Sequence, residues 1–101
     1  MKIILQKSTN KNKKLMVILP NGKVVHFGAT NYSDFTLHCD KERMQRYIAR
    51  HKGSGNQDWT KKGIDTAGFW SRWILWSKPS LKEAIALTSK KFNIQIINNV
   101  V

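Results

Sequence analysis

Leu15-Met16-Val17-Ile18-Leu19-Pro20-Asn21-Gly22-Lys23-Val24-Val25-His26-Phe27 holds two apolar, β-branched runs on either side of a turn signal. Asn-Gly suits a two-residue hairpin turn, whose central positions need positive φ, a conformation that costs these two residue types least. The stretch therefore predicts antiparallel strands at Leu15 to Leu19 and Val24 to Phe27. Upstream, Ile3 to Leu5 is a further short strand. The polar stretch between them, Lys7 to Lys14, reads as a lysine-rich loop or mobile arm.

Downstream, Gly28 to Asp34 collects Gly, Thr, Asn, Ser and Asp and reads as a loop, with Phe35-Thr36-Leu37 a brief extended piece before Asp40. Asp40 suits the cap of a helix running to about Lys52, because Met44, Tyr47, Ile48 and His51 recur at helical spacing and Gly53 is a suitable stop. Arg43, Arg46 and Arg50 fall at i, i+3 and i+7, so the same helix has a core stripe and a cationic stripe. Gly53-Ser54-Gly55-Asn56 reads as a flexible loop. Thr66 to Trp76 fits a helix, with Phe69, Trp70, Trp73, Ile74 and Trp76 over a broad arc, or a strand apolar on both faces; helix is favoured. Ser80 and Glu83 fit a capping box for a helix from Leu81 to about Lys91 that turns Leu81, Ile85 and Leu87 inward. Asn93 to Ile97 alternates like a closing strand. The order implies one α+β domain over residues 1–101, a small antiparallel sheet of three to four strands packed against about three helices.

A chain of 101 residues, 41% apolar and with four tryptophans, can bury one modest core without disulfides or metal. Its charge is the unusual quantity. Eighteen Lys and Arg against six Asp and Glu give +12, and six of the lysines lie in the first 23 residues with no acid among them. Such a field repels itself in a compact state and calls for an anionic partner. The single cysteine, Cys39, excludes an internal disulfide framework and suits a reducing compartment. Met1 to Leu5 is too short for a signal peptide, and no apolar run reaches the length of a membrane span. The expected setting is the inside of a cell or a particle, with no membrane partner.

Lys and Arg hold phosphates and release counterions, a term that gives affinity without sequence preference. The candidates are Lys7, Lys11, Lys13, Lys14, Arg43, Arg46, Arg50, Lys52, Lys61, Lys62 and Arg72. Against this stands a solvated surface with a solubilising arm, or arginines paired with Asp40, Glu42 and Asp58. At +12 the binding interpretation is the stronger. Trp59, Phe69, Trp70, Trp73 and Trp76 could stack on unpaired bases beside Lys61, Lys62, Arg72 and Lys78, but a chain this short needs most of them as core.

His26, His38, Cys39 and His51 lack the paired spacing of zinc ligands, so no metal is expected. The chain has no Walker loop, no Gly-x-Ser-x-Gly and no His-x-Glu motif, and Asp34, His38 and Asp40 form the sole grouping that would suit a nuclease-like site. Catalysis and a cofactor are not expected.

Phe27-Gly28-Ala29-Thr30-Asn31-Tyr32-Ser33-Asp34-Phe35-Thr36, then Arg46 to His51, Asp58-Trp59 and Thr66 to Leu81 resemble the small basic proteins of unassigned function encoded by nucleocytoplasmic large DNA viruses, the marseillevirus-like giant viruses among them. The resemblance spans roughly residues 24 to 97. It implies a viral protein, found in the virion and the infected host cell and packaged with the genome, and it supplies no catalytic residues. Element order and charge are also similar to the small archaeal chromosomal protein of methanogens, a basic monomer that bends DNA.

The expectation is a non-enzymatic, largely sequence-independent DNA-binding protein of architectural or genome-packaging type, with duplex DNA the partner. The alternative is a viral protein-interaction module, an internal virion component or a factor acting on an acidic host partner.

Overall fold

Alternate residues of the first three strands build the core. In the computed structural model, which describes residues 1–53 and 58–100, β1 (Lys2–Lys7) buries Ile3 and Leu5, β2 (Lys13–Ile18) buries Leu15 and Val17, and β3 (Val24–Ala29) buries Val25 and Phe27. Side chains two apart on a strand share a face, so this set forms one apolar surface. The hairpin is present, but its turn spans the three residues Pro20 to Gly22: the Leu19 amide donates to the Lys23 carbonyl (2.9 Å), and of Asn21 and Gly22 only the glycine takes positive φ. Gly22 takes φ 87°, its N–H donates to the Leu19 carbonyl (2.9 Å), and the Asn21 side chain accepts from the Lys23 amide (2.9 Å).

The stretch from Lys7 to Lys14 is loop only in part. Lys7 closes β1, Lys13 and Lys14 open β2, and the loop is confined to residues 8–12. Short polar side chains make it tight: Ser8 Oγ accepts from the Asn10 amide (3.0 Å) and Asn10 Oδ1 from the Asn12 amide (2.9 Å). These local bonds satisfy backbone donors within the turn.

The sheet has the order β3-β2-β1-β4, and it is mixed where an antiparallel one was expected. The two hairpin pairings are antiparallel. The last strand, β4 (Gln95–Asn98), lies parallel to β1, with Lys2 opposite Gln95 and Leu5 opposite Asn98. A parallel neighbour needs a long crossover, and the helical segment between β3 and β4 supplies it.

That segment starts earlier than expected. Phe35 to Leu37 is helical: α1 (Phe35–His38) is one turn, capped by Asp34, which sits in extended backbone and accepts from the Thr36 amide (2.9 Å). Phe35 is buried beneath it, so the cap and the burial together outweigh the extended tendency of a three-residue apolar piece. α2 (Lys41–Gly53) begins as expected, with Asp40 Oδ1 accepting from the Glu42 amide (3.0 Å). Of the loop expected after it at residues 53–56, Gly53 closes α2 and residues 54–56 lie outside the described residues.

Thr66 to Trp76 is helical, as favoured, but in two parts: α3 (Ala67–Trp70) runs into a π turn at Ser71–Leu75. Phe69, Trp70, Ile74 and Leu75 are all buried. In a regular α-helix residues five apart point about 140° apart at 100° per residue. The wider i→i+5 turn brings Phe69 and Ile74, and Trp70 and Leu75, towards one side. α4 (Leu81–Phe92) has the expected cap, Ser80 Oγ accepting from the Glu83 amide (3.2 Å). It buries Ala84, Thr88 and Phe92, with Leu81 and Ile85 packed beside them, and ends at Asn93 in the left-handed region.

The helical layer covers one face of the sheet, and Phe27, Phe69, Trp70, Ile74 and Phe92 meet there in a single core. β3 lies so close to the π turn that a Cβ on Gly28 (φ 78°) would stand 2.6 Å from Leu75 Cδ1. Among the described residues no helix is long and apolar enough to cross a membrane.

Candidate nucleic-acid interface

The start of β2, the end of β3, the 29–34 loop, α2 and the α3–π segment enclose a groove of about 790 Å³. β2 contributes Lys13 and Lys14, α2 contributes Arg43 and Arg50 two turns apart on one stripe, and the loop contributes Tyr32. Asp34 is the one carboxylate among the lining residues. It is almost wholly buried and accepts from Lys14 Nζ at 2.5 Å, from the Thr36 amide and from the Thr36 hydroxyl. That pairing neutralises Lys14. Lys13, Arg43 and Arg50 meet no carboxylate among the described residues, so three cations face the groove uncompensated. The expected alternative, arginines paired with Asp40, Glu42 and Asp58, is not what the described residues show: Asp40 caps α2 and Asp58 accepts from Thr60. The Thr60 amide and hydroxyl also hold the Asp58 carboxyl below its ordinary range.

The groove floor is aromatic and already stacked. Tyr47 lies face to face with Trp76, ring centroids 4.3 Å apart and planes 2° apart, and 4.2 Å from the His51 ring. Burial pushes the Tyr47 hydroxyl up to about 12, against the pull of Arg72 and Arg50. Burial, and then the adjacent Arg50 charge, lower His51 from the ordinary histidine value of 6.5. The folded state therefore favours the neutral form of His51 and resists its protonation. As pH falls below 6.5 the unfolded chain takes up this proton before the folded one, so stability is full above that value and declines below it. The expected result is a lower urea midpoint at pH 5.5 than at pH 7.5, with a smaller drop in His51→Gln.

The eleven cations singled out from the sequence separate in space. Lys13, Lys14, Arg43 and Arg50 gather at the groove. Lys7 ends β1 and Lys11 lies in the loop after it, Lys61 and Lys62 sit on a 3₁₀ turn (Lys61–Gly63), and Lys52 and Arg46 lie exposed on α2, all outside the groove lining. Arg72 goes elsewhere. It is half-buried, its guanidinium 4.4 Å from the Trp73 ring centroid and 5.5 Å from that of Trp59, and it donates to the Trp76 carbonyl at 3.0 Å. It braces the aromatic layer. Of the tryptophans expected as core, Trp70 is fully buried within it, Trp73 and Trp76 are half-buried and packed against it, and Trp59 is half-buried outside that cluster.

Two features had little or no signal in the sequence. The Lys14–Asp34 pair joins residues twenty apart across a loop. Tyr32, 72% exposed at the groove, is the lone aromatic of a polar loop, which was the available hint. The grouping Asp34, His38 and Asp40 does not converge: Asp34 holds Lys14, and His38 Nδ1 accepts from the Asp40 amide while the Asp40 carboxylate caps α2. Among the described residues no three His, Cys, Asp or Glu are placed to hold a metal ion.

Comparison with known proteins bears on half of this arrangement. No curated protein and no solved structure matches the chain. Residues 3–51, just under half of the chain, match the profile of a family described as a family of unknown function (DUF5754). The matched segment carries β1 to β3, α1 and most of α2, and so all four groove cations. Over that segment, and for the strands and helix that build the cationic side of the groove, the chain is similar to DUF5754.

Proposed function

We propose that the chain is a non-enzymatic DNA-binding protein, largely indifferent to sequence, of architectural or genome-packaging type in a large DNA virus. The observation that carries this is the convergence of Lys13, Arg43 and Arg50 on one groove, with no carboxylate partner among the described residues, in a chain of net charge +12. Charges held on a strand and a helix are preorganised for phosphates, and the exposed lysines outside the groove extend the field that steers a polyanion in. Arginine's planar fork suits phosphate oxygens better than a point charge does.

Fluorescence anisotropy of labelled duplex DNA, single-stranded DNA and duplex RNA across a salt series tests it. Three phosphate contacts alone give a slope of about −3 in log affinity against log salt, and six, with exposed lysines engaged, about −5. A flat salt response would sink the proposal.

A second reading has one observation behind it. Register places Val24, Ile18, Ile4 and Ile97 in a row across all four strands, on the sheet face turned away from the core. Such a row could meet a viral or host protein. Weak binding to all three nucleic acids would make this face the place to examine.

A further inference from the structure

We propose that the groove takes unpaired nucleotides, with Lys13, Arg43 and Arg50 on the phosphates and one base stacked on Tyr32, so that duplexes with a single-stranded overhang bind more tightly than blunt ones. This rests on the nucleic-acid reading above and names the form of nucleic acid that the groove itself accepts.

Three observations lead there. The first is size: about 790 Å³ lies within the ~300–1,000 Å³ of pockets that hold small ligands. A recess on that scale admits a short strand, whereas a duplex can only lie across its mouth. The second is the shape of one wall, where Gly28, Ala29, Ala67, Gly68 and Ser71 line the groove with small side chains and leave room for a flat ring.

The third is the state of the lining aromatics. Phe27 is fully buried, and Tyr47 and Trp76 already occupy each other's faces. Tyr32 differs. It is 72% exposed, and among the described residues its ring stacks on no other ring and its hydroxyl holds no partner. The loop is anchored beneath it by the Tyr32 amide, which donates to the Ala29 carbonyl at 3.2 Å. An exposed aromatic face beside uncompensated cations is the arrangement that binds unpaired strands, because every base has a π-face and stacking tolerates any sequence. A base inside a duplex has both faces covered by its neighbours and must be unstacked before it can use such a platform.

The experiment compares the whole chain and its Tyr32→Ala and Tyr32→Phe variants on two labelled probes of equal phosphate number, a blunt duplex and a shorter duplex with a single-stranded thymidine overhang. Tyr32 is exposed, so both variants should keep the fold, which circular dichroism checks. The expected result is overhang binding at least about fivefold tighter than blunt, the low end for one base–aromatic stack. Tyr32→Ala should abolish that preference, and Tyr32→Phe should retain it. Equal affinity of the unaltered chain for both probes, or a preference that survives Tyr32→Ala, overturns this inference and leaves the nucleic-acid reading standing. Failure to bind either probe overturns both.

Discussion

Trp70→Ala should cost about 3–5 kcal/mol of folding stability, as loss of a buried large aromatic usually does. A domain of this length has ~5–15 kcal/mol in total, so the variant stands near the edge of folding. Trp70 is 0% exposed and joins both layers. Its ring lies 6.4 Å from Phe27 on the sheet and 5.0 Å, edge on, from Phe69. Its Nε1–H donates to the Ile64 carbonyl at 2.6 Å, tying α3 to the segment before it. Truncation empties the centre of the core and leaves that carbonyl short of a donor. Trp70→Phe keeps most of the ring and loses the hydrogen bond, for about 1–2 kcal/mol. Urea unfolding followed by circular dichroism separates the two, since a change of midpoint at constant slope reports stability alone. Equal, small shifts in both variants would contradict the central place given to this residue.

Reversing Arg43 and Arg50 together (R43E/R50E) should weaken duplex DNA binding by about a hundredfold or more, taking each arginine–phosphate bond as a charge-assisted hydrogen bond of about 1.5–3 kcal/mol. The salt slope should fall by about two, one for each contact removed. The informative control is Arg46→Glu. Arg46 shares the helix and the sign of charge but lies outside the groove. If the groove organises binding, Arg46→Glu is the milder change per charge by a wide margin. If all three arginines matter equally, binding follows the overall field of the chain and the groove has no special place in it. All three side chains are exposed, and their replacement should leave the fold intact apart from the lost complement of Arg50 to the α2 C-terminus.

Local chemistry decided much of this protein before any tertiary contact. The turn signal at Pro20 to Gly22 placed the hairpin, Asp40 and Ser80 started two helices where expected, and the stripe Met44, Tyr47, Ile48 and His51 named the inward face of α2. These signals act over a few residues, through φ preferences and side chain to backbone bonds, so sequence alone carries them. The single turn α1 escaped because its stability comes from Asp34 and from burial of Phe35, and burial is not a local property. The parallel pairing of β4 escaped for the same reason, since only the crossover through the helices determines which side of β1 it joins.

For the candidate site the division is sharper. Composition alone raised the expectation of an anionic partner, and the cations could be named from the chain. Which of them act together could not, because charge carries no signal of its distant neighbours along the sequence. Folding set Lys13 beside Arg43 and Arg50, spent Lys14 on buried Asp34, drew Arg72 into the tryptophan layer and left Tyr32 exposed. The pairing of one lysine and the burial of one arginine are decided by desolvation and packing between segments far apart in the chain, and those exist only once the sheet and helices have closed on each other.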